Sequence, residues 1–150
     1  MRILVISGPN LNLLGRREPD VYGHDTLDDI HARLDRRAAE LGCEVLTYQS
    51  NHEGALIDYL HTHMDDADGA VLNPGGYTHA SVALRDAVAA MPFPVIEVHL
   101  SNVYAREEFR HHSLIAPVAR GHIVGLGPYG YIAALEALIV LSRESGVTGL

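Results

Sequence analysis

The chain alternates short runs of apolar residues with longer segments in which apolar residues recur at helical spacing. Each short run is nearly continuous, which is typical of strands in a parallel sheet covered by helices on both faces. The predicted strands span residues 2–7, 43–49, 69–73, 94–100 and 122–127. The predicted helices span residues 27–41, 53–64, 78–91 and 129–144. This alternation predicts an α/β fold: a flavodoxin-like, doubly wound, five-stranded parallel sheet of order 2-1-3-4-5 in three α/β/α layers.

Two of these helices carry signals for their first residues. Ser50 and Glu53 have the spacing of a capping box, which predicts that the second helix begins there. Thr78 is predicted to cap the third helix. The free N–H groups at residues 78–81 would then suit an anion.

Composition and charge bound the class of protein. With 150 residues, 47% of them hydrophobic, the chain is expected to form one domain over residues 1–150. A formal net charge of −8 argues against a nucleic-acid surface and against polybasic membrane contact. The apolar runs are too short for a membrane span or a signal peptide. The single cysteine, Cys43, excludes an intrachain disulfide and fits a reducing compartment, so we expect a cytoplasmic protein.

The absence of lysine narrows the chemistry further. All 11 basic residues are arginines. Schiff-base catalysis through a lysine is therefore excluded, and so is a P-loop with its phosphate-binding lysine. Apart from histidine, the only cationic side chain available to bind a ligand is therefore the planar, permanently charged guanidinium of arginine.

Polar side chains follow several of the predicted strands at the points where they end. The first loop, "GPNLNLLGRREPDVYG", is long for a connection between short elements. Carboxyl ends of parallel strands share one edge of the sheet, where ligands bind in doubly wound folds. The candidate residues at this edge are Asn10, Arg17, Tyr22, Asn73, His79, Glu97, His99, Leu100, Ser101, Arg106 and Arg110.

These residue types favour acid–base chemistry, since their spacing contains no convincing metal-ligand cluster. A tyrosine next to a guanidinium is a plausible base, because the cation favours the phenolate. A histidine would supply the acid, and an asparagine would hold oxyanion charge. Spacing alone leaves the acid open between His79 and His99. It also leaves open that Arg106 and Arg110 only pair with neighbouring glutamates.

Five motifs in order resemble one known family, the type II 3-dehydroquinate dehydratases. They are "GPNLNLLGRREPDVYG", "QSNHEG", "LNPGGYTHASVALRDA", "P.IEVHLSN...REEFR..S" and "G.I.GLGPYGY..AL". The resemblance runs from Ile3 to about Leu141. It implies trans-dehydration of 3-dehydroquinate to 3-dehydroshikimate through an enolate, as in the shikimate pathway of aromatic amino acid biosynthesis.

The resemblance implies a role for each catalytic residue. Tyr22 would remove the proton next to the substrate ketone, and Arg17 would hold Tyr22 as a phenolate. Asn10 would stabilise the enolate through a bound water. His99 would protonate the departing hydroxyl, and Glu97 would orient His99.

It further implies how the substrate is held and how subunits meet. The family uses no metal and no organic cofactor, and it assembles as a homo-oligomer, a dodecamer of trimers. Residues 17–24 would form a lid. Asp86 would reach into the site of a neighbouring subunit. The substrate-binding set would be Asn73, His79, Asp86, Leu100, Ser101, Arg106 and Arg110.

Two rival functions share parts of this pattern. Quinate catabolism uses the same reaction, and the sequence does not separate it from biosynthesis. A non-catalytic flavodoxin-like binding module is the other rival. A flavin-binding module should carry a hydroxyl-rich phosphate loop after the first strand, where this chain has "GPNLN".

Overall fold

The structure, a computed structural model, describes residues 1–148, with side chains up to residue 145. The last two residues of the predicted domain, 149 and 150, lie outside the described residues. Five parallel strands form one sheet of order β2-β1-β3-β4-β5, which confirms the predicted fold. The strands are β1 (Arg2–Ser7), β2 (Glu44–Gln49), β3 (Gly69–Asn73), β4 (Val95–His99) and β5 (Gly121–Val124).

The helices connect these strands and cover both faces of the sheet. They are α1 (Pro19–Tyr22), α2 (Leu27–Leu41), α3 (Glu53–Thr62), α4 (Val82–Ala89) and α5 (Tyr129–Thr148). Short 3₁₀ turns at Leu11–Leu13, Gly75–His79, Val103–Ala105, Glu108–His111 and Ala116–Val118 complete the connections. The long first loop, predicted without regular structure, therefore contains a 3₁₀ turn and the single-turn helix α1.

Alternate residues of the central strand β1 face opposite helical layers. Ile3 and Val5 belong to the core formed with α2 and α5, and Leu4 and Ile6 belong to the core formed with α3 and α4. All four side chains are fully buried. Burying an aliphatic side chain of this size contributes about 1.5–3 kcal/mol. Their burial on both faces explains why the strand reads as a continuous apolar run.

The start of α3 differs from the predicted capping box. His52 is its N-terminal capping residue, and no side chain caps the helix there. The Ser50 hydroxyl accepts a hydrogen bond from the main-chain N–H of His52 at 3.0 Å instead. The Glu53 carboxylate accepts a hydrogen bond from the hydroxyl of Ser81. The predicted capping box was wrong because the Glu53 carboxylate, which the box requires, is hydrogen-bonded to the Ser81 hydroxyl.

The start of α4 also lies further along the chain than predicted. The helix begins at Val82, and the hydroxyl of Ser81 caps it by accepting from the N–H of Leu84 at 2.9 Å. Thr78 is not the cap, because it lies buried in the 3₁₀ turn Gly75–His79. The N–H groups of Ala80 and Ser81, predicted to be free for an anion, donate instead to the carbonyl of Tyr77.

The strand register brings the functional loops to one edge of the sheet. Ser7 at the end of β1 pairs with Asn73 at the end of β3, and Leu72 pairs with Glu97 of β4. Glu97 in turn pairs with His122 of β5. Among the helices described over residues 1–148, none has the length and apolar character that a membrane crossing requires.

Candidate active site

A cavity opens at the carboxyl edge of the sheet, beyond the ends of β1, β3 and β4. We call it the strand-end cavity. Nine of the twelve site residues predicted from the sequence line it, the exceptions being Asn10, Asp86 and Glu97. Its lining comprises Leu11, Arg17, Tyr22, Asn73, Gly75, Gly76, His79, His99, Leu100, Ser101, Val103, Arg106 and Arg110.

Tyr22 enters the cavity between two guanidinium groups. Arg106 Nη1 donates a hydrogen bond to the Tyr22 hydroxyl at 2.7 Å and lies 3.4 Å from Ser101 Oγ. Arg17 lies over the ring of Tyr22, with its Cζ atom 4.5 Å from the ring centroid. Two cations therefore lie in contact with one phenol.

Local backbone geometry presents Tyr22 to these cations. The residue ends α1, which has Pro19 at its start and Glu18 before it. Proline at the first helical position is pre-organised for a helix. Glu18 has a φ of 35°, in the left-handed region that non-glycine residues seldom adopt. The carboxylate of Glu18 lies 4.0 Å from Arg106 Nη2, so the same turn contacts both the base and its cation.

His99 lines the same cavity from the end of β4, and its imidazole contacts a buried carboxylate. His99 Nε2 donates to Glu97 Oε2 at 2.5 Å. Thr78 Oγ1 donates to the same oxygen at 2.7 Å, and Ser113 Oγ donates to Oε1 at 2.7 Å. Glu97 is fully buried, yet each of its oxygens is satisfied. Because Nε2 is engaged, Nδ1 is the nitrogen of His99 that is left for a ligand.

This arrangement keeps the Glu97 carboxylate ionised. Burial alone would raise the pKa of Glu97, but the hydrogen bond and charge of His99 oppose this, as do the hydroxyls of Thr78 and Ser113. Together they hold the pKa below its ordinary value. A carboxylate in this position fixes the orientation of the imidazole. Ser113 occurs in the motif "REEFR..S", so its position was visible in the sequence although its partner was not.

His79 occupies a different environment on the wall of the cavity. Its Nδ1–H donates to the main-chain carbonyl of His112 at 2.8 Å, a tautomer assigned from that hydrogen bond. Its ring centroid lies 6.4 Å from that of His99. The partner of His79 is a neutral carbonyl, whereas the partner of His99 is a carboxylate. The geometry thus favours His99 over His79 as the residue that carries and delivers a proton.

Asn73 forms the floor of the cavity and belongs to a buried polar network. Its side-chain oxygen accepts from the N–H of Gly75 at 3.1 Å. The hydroxyl of Tyr131 contacts Asn73 and hydrogen-bonds with Ser7 at 2.9 Å. Complete burial raises the pKa of Tyr131 to about 12, against which its two hydrogen-bond partners act only partly. The network fixes the Asn73 amide without adding charge beneath the site.

Two predicted residues lie away from the cavity of their own chain. Asn10 adopts a φ of 70° just before the turn that contains Leu11, and its N–H donates to Asn51 Oδ1 at 3.0 Å. Asp86 lies on α4 with 65% of its side chain exposed and pairs with Arg85 at 2.9 Å. Asn10 is thus close to the cavity in sequence, and Asp86 faces outward.

The two arginines at the mouth of the cavity, Arg106 and Arg110, have different partners. Arg110 lines the cavity but also forms an ion pair with Glu107. The pairing of Arg110 with a neighbouring glutamate, left open from the sequence, is therefore observed. Arg106 instead contacts Tyr22, and only 14% of its side chain is exposed.

Behind the cavity lies a third group that spacing in the sequence did not indicate. His122 Nε2 is 3.5 Å from Glu97 Oε2 and has no hydrogen-bond partner among the described residues. Burial lowers the pKa of His122 despite the nearby Glu97 charge. Glu97, His99 and His122 each offer a metal-ligand atom, and these atoms lie within 4.8 Å of one another. They meet across two strands, which explains why no local spacing revealed them.

Comparison with known proteins places this geometry in a family. A family model described as "Dehydroquinase class II" matches residues 1–139. The chain is 63% identical over 139 residues to a 3-dehydroquinate dehydratase of Roseiflexus castenholzii, covering 93% of this chain and 88% of that protein. It is 62% identical over 134 residues to a 3-dehydroquinate dehydratase of Bacillus licheniformis, covering 89% and 92%.

A solved structure agrees in fold with the described chain. The crystal structure of a type II dehydroquinase from Butyrivibrio crossotus superposes with a TM-score of 0.90 at 49% sequence identity. The match covers 92% of this chain and 97% of that one. The fold is therefore shared over nearly the whole length of both chains.

Proposed function

Because this chain belongs to the class II dehydroquinase family, we propose that it dehydrates 3-dehydroquinate to 3-dehydroshikimate in the strand-end cavity. One observation carries the mechanism: a tyrosine flanked by guanidiniums and a histidine backed by a carboxylate line the same cavity. A base and an acid in one cavity can remove one proton and deliver another. Residues 1–150 would act as a single catalytic domain in the shikimate pathway.

The reaction begins with removal of a proton from the carbon next to the substrate ketone. The Tyr22 phenolate takes this proton, and Arg106 and Arg17 stabilise its charge beforehand. The electron pair moves into an enolate. We assign stabilisation of that enolate to Asn10 through a water molecule, since Asn10 directly precedes the cavity-lining Leu11.

The second half of the reaction expels the hydroxyl group. His99 donates the proton on Nδ1 to the leaving oxygen, so that water departs and the conjugated double bond forms. Glu97 remains ionised throughout and stabilises the imidazolium before the transfer. Tyr22 ends protonated and His99 ends neutral, so one proton passes between them to restore the enzyme. No cofactor takes part in these steps.

The remaining cavity residues would hold the substrate. The main-chain N–H groups near Leu100 and Ser101 would bind its carboxylate. Arg110 supplies a fixed positive charge at the mouth, although Glu107 shares it. Asn73 and His79 would contact the ring hydroxyls, supported by the fixed orientation of each side chain.

Assembly would complete the site. We propose a dodecamer built of trimers in which Asp86 reaches a neighbouring site. The outward position of Asp86 supports this, since 65% of its side chain is exposed and its own cavity does not include it. Val82 on the same helix is 59% exposed, an apolar surface suited to an interface. The single cysteine and acidic charge support a cytoplasmic enzyme that binds neither nucleic acid nor membranes.

The direct test is a spectroscopic assay that follows the conjugated product from 3-dehydroquinate. The native chain should turn over in the presence of a chelator, and Tyr22→Phe should lower kcat by about 10²- to 10⁴-fold. Tyr129→Phe is a matched control, since Tyr129 is half-exposed and does not line the cavity. Absence of turnover by the native chain would refute the proposed reaction. Equal activity of native and Tyr22→Phe would refute the assignment of the base.

A further inference from the structure

His122 lies in contact distance of the proposed acid yet has no part in the proposed reaction. The register of β4 and β5 pairs Glu97 with His122, so both side chains project from the same face of the sheet. The rings of His99 and His122 meet edge to face, with centroids 5.6 Å apart.

The three side chains present the donor set of a transition-metal site. Glu97 Oε2, His99 Nε2 and His122 Nε2 all lie within 4.8 Å of one another. Two imidazole nitrogens and one carboxylate oxygen form a ligand set that proteins use for zinc. From bonds of about 2.0–2.2 Å, tetrahedral ligands are separated by roughly 3.4 Å. The separation of 3.5 Å between Glu97 and His122 already matches this spacing.

The contact between His99 and Glu97 needs a small opening. The proton between His99 and Glu97 holds their atoms at 2.5 Å, and a cation in its place would move them apart by about 1 Å. His122 has no competing hydrogen bond to give up within the described chain, because its Nε2 is unpartnered. About 20% of the His122 side chain is exposed, although its Nε2 atom is buried. A water molecule would fill the fourth position.

We propose that Glu97, His99 and His122 bind Zn²⁺ or a similar divalent transition-metal ion, and that this ion inhibits the enzyme. The inhibitory part rests on the proposed function. A metal on His99 Nε2 replaces the proton that links His99 to Glu97, and it also neutralises the carboxylate. His99 then loses the partner that stabilises its protonated form. His99 would then have to release its Nδ1 proton from a metal-bound neutral imidazole rather than from an imidazolium, so the bound ion hinders proton delivery by His99.

Direct binding tests the site independently of activity. Native protein, His122→Asn and His61→Asn would be titrated with Zn²⁺ by calorimetry, and Co²⁺ absorption would report the coordination geometry. His61 is an exposed histidine at the end of α3, so His61→Asn controls for surface binding. We expect one ion per native chain, unchanged in His61→Asn and weakened at least 10-fold in His122→Asn. Mg²⁺, which prefers octahedral oxygen ligands, should not bind. Equal Zn²⁺ affinity of native and His122→Asn would overturn the site.

Kinetics then test inhibition. The rate of each variant is normalised to its own rate with chelator, so that any effect of a substitution on the reaction itself cancels. Native and His61→Asn should lose activity over the Zn²⁺ range in which the ion binds, and a chelator should restore it. His122→Asn should need at least 10-fold more Zn²⁺. Binding without loss of activity would overturn the inhibitory role. A native chain inactive even with chelator would refute the proposed function, while the calorimetry would still decide the site.

Discussion

Replacing Arg106 with methionine tests which cation holds the base. Arg106 Nη1 donates to the Tyr22 hydroxyl at 2.7 Å, and only 14% of the Arg106 side chain is exposed, so solvent screens the contact little. A hydrogen bond to a charged group contributes about 1.5–3 kcal/mol. Ionising a free tyrosine at pH 7 costs roughly 4 kcal/mol. The contact with Arg106 can therefore offset much of that cost.

The expected loss follows from these magnitudes. Arg106→Met should lower kcat by roughly 30- to 150-fold, corresponding to about 2–3 kcal/mol. Arg17 lies over the ring rather than at the oxygen, and a cation–π contact contributes about 0.5–2 kcal/mol. Arg17→Met should therefore lower kcat by about 2- to 30-fold. The structure thus ranks Arg106 above Arg17, whereas the family resemblance assigns the main role to Arg17.

Steady-state assays at pH 7 would measure both variants. Arg106→Lys keeps the charge and should lose less than Arg106→Met. Arg33→Met is a surface control. Near-native activity of Arg106→Met beside a collapse in Arg17→Met would refute the ranking and return the role to Arg17.

Three further predictions concern other parts of the site. Glu97→Gln removes the charge behind His99 and should lower kcat about 10²-fold with little change in KM; an unchanged kcat would contradict the proposed pair. Co-assembling Asp86→Asn with Tyr22→Phe chains should restore activity that neither has alone, because some sites then combine native Tyr22 with a neighbour's native Asp86; no recovery in mixed oligomers would remove the shared-site role. The folded-state pKa of Tyr131, about 12, exceeds the unfolded value of about 10, so its stabilisation is full below pH 10 and is lost as pH rises towards 12. Urea unfolding should show the native chain losing about 2 kcal/mol more than Tyr131→Phe between pH 9 and pH 11.5, whereas parallel curves would contradict the buried-hydroxyl argument.

The apolar pattern predicted the fold because the burial of each strand and helix determines the order of apolar and polar residues within that same segment. The continuous run Ile3–Ile6 is buried on both faces, as a central parallel strand requires. The strand ends then predicted the cavity, since parallel strands share one carboxyl edge. Nine of the twelve predicted site residues line that cavity. This success needed only element boundaries and topology.

The misassigned contacts all depend on partners distant in the chain. Thr78 has the side-chain type and the position expected of a helix cap, but its hydroxyl donates to Glu97. Glu53 has the spacing of a capping box, but its carboxylate accepts from Ser81. A local sequence pattern shows which side chains are able to form hydrogen bonds. The path of the loops in the folded chain determines which of those side chains come into contact. The contact between Arg106 and Tyr22 spans 84 positions and was invisible for the same reason.

The two halves of the site have unequal structural support, and this suggests how the enzyme works. His99 ends a central strand, and its partner Glu97 accepts hydrogen bonds from His99, Thr78 and Ser113. Tyr22 ends a four-residue helix within a long loop. A loop that carries the base can open for the substrate while the strand keeps the acid fixed. Closure of the loop would be productive only when Tyr22 contacts Arg106. The same guanidinium would then both stabilise the phenolate and hold the loop in its closed position.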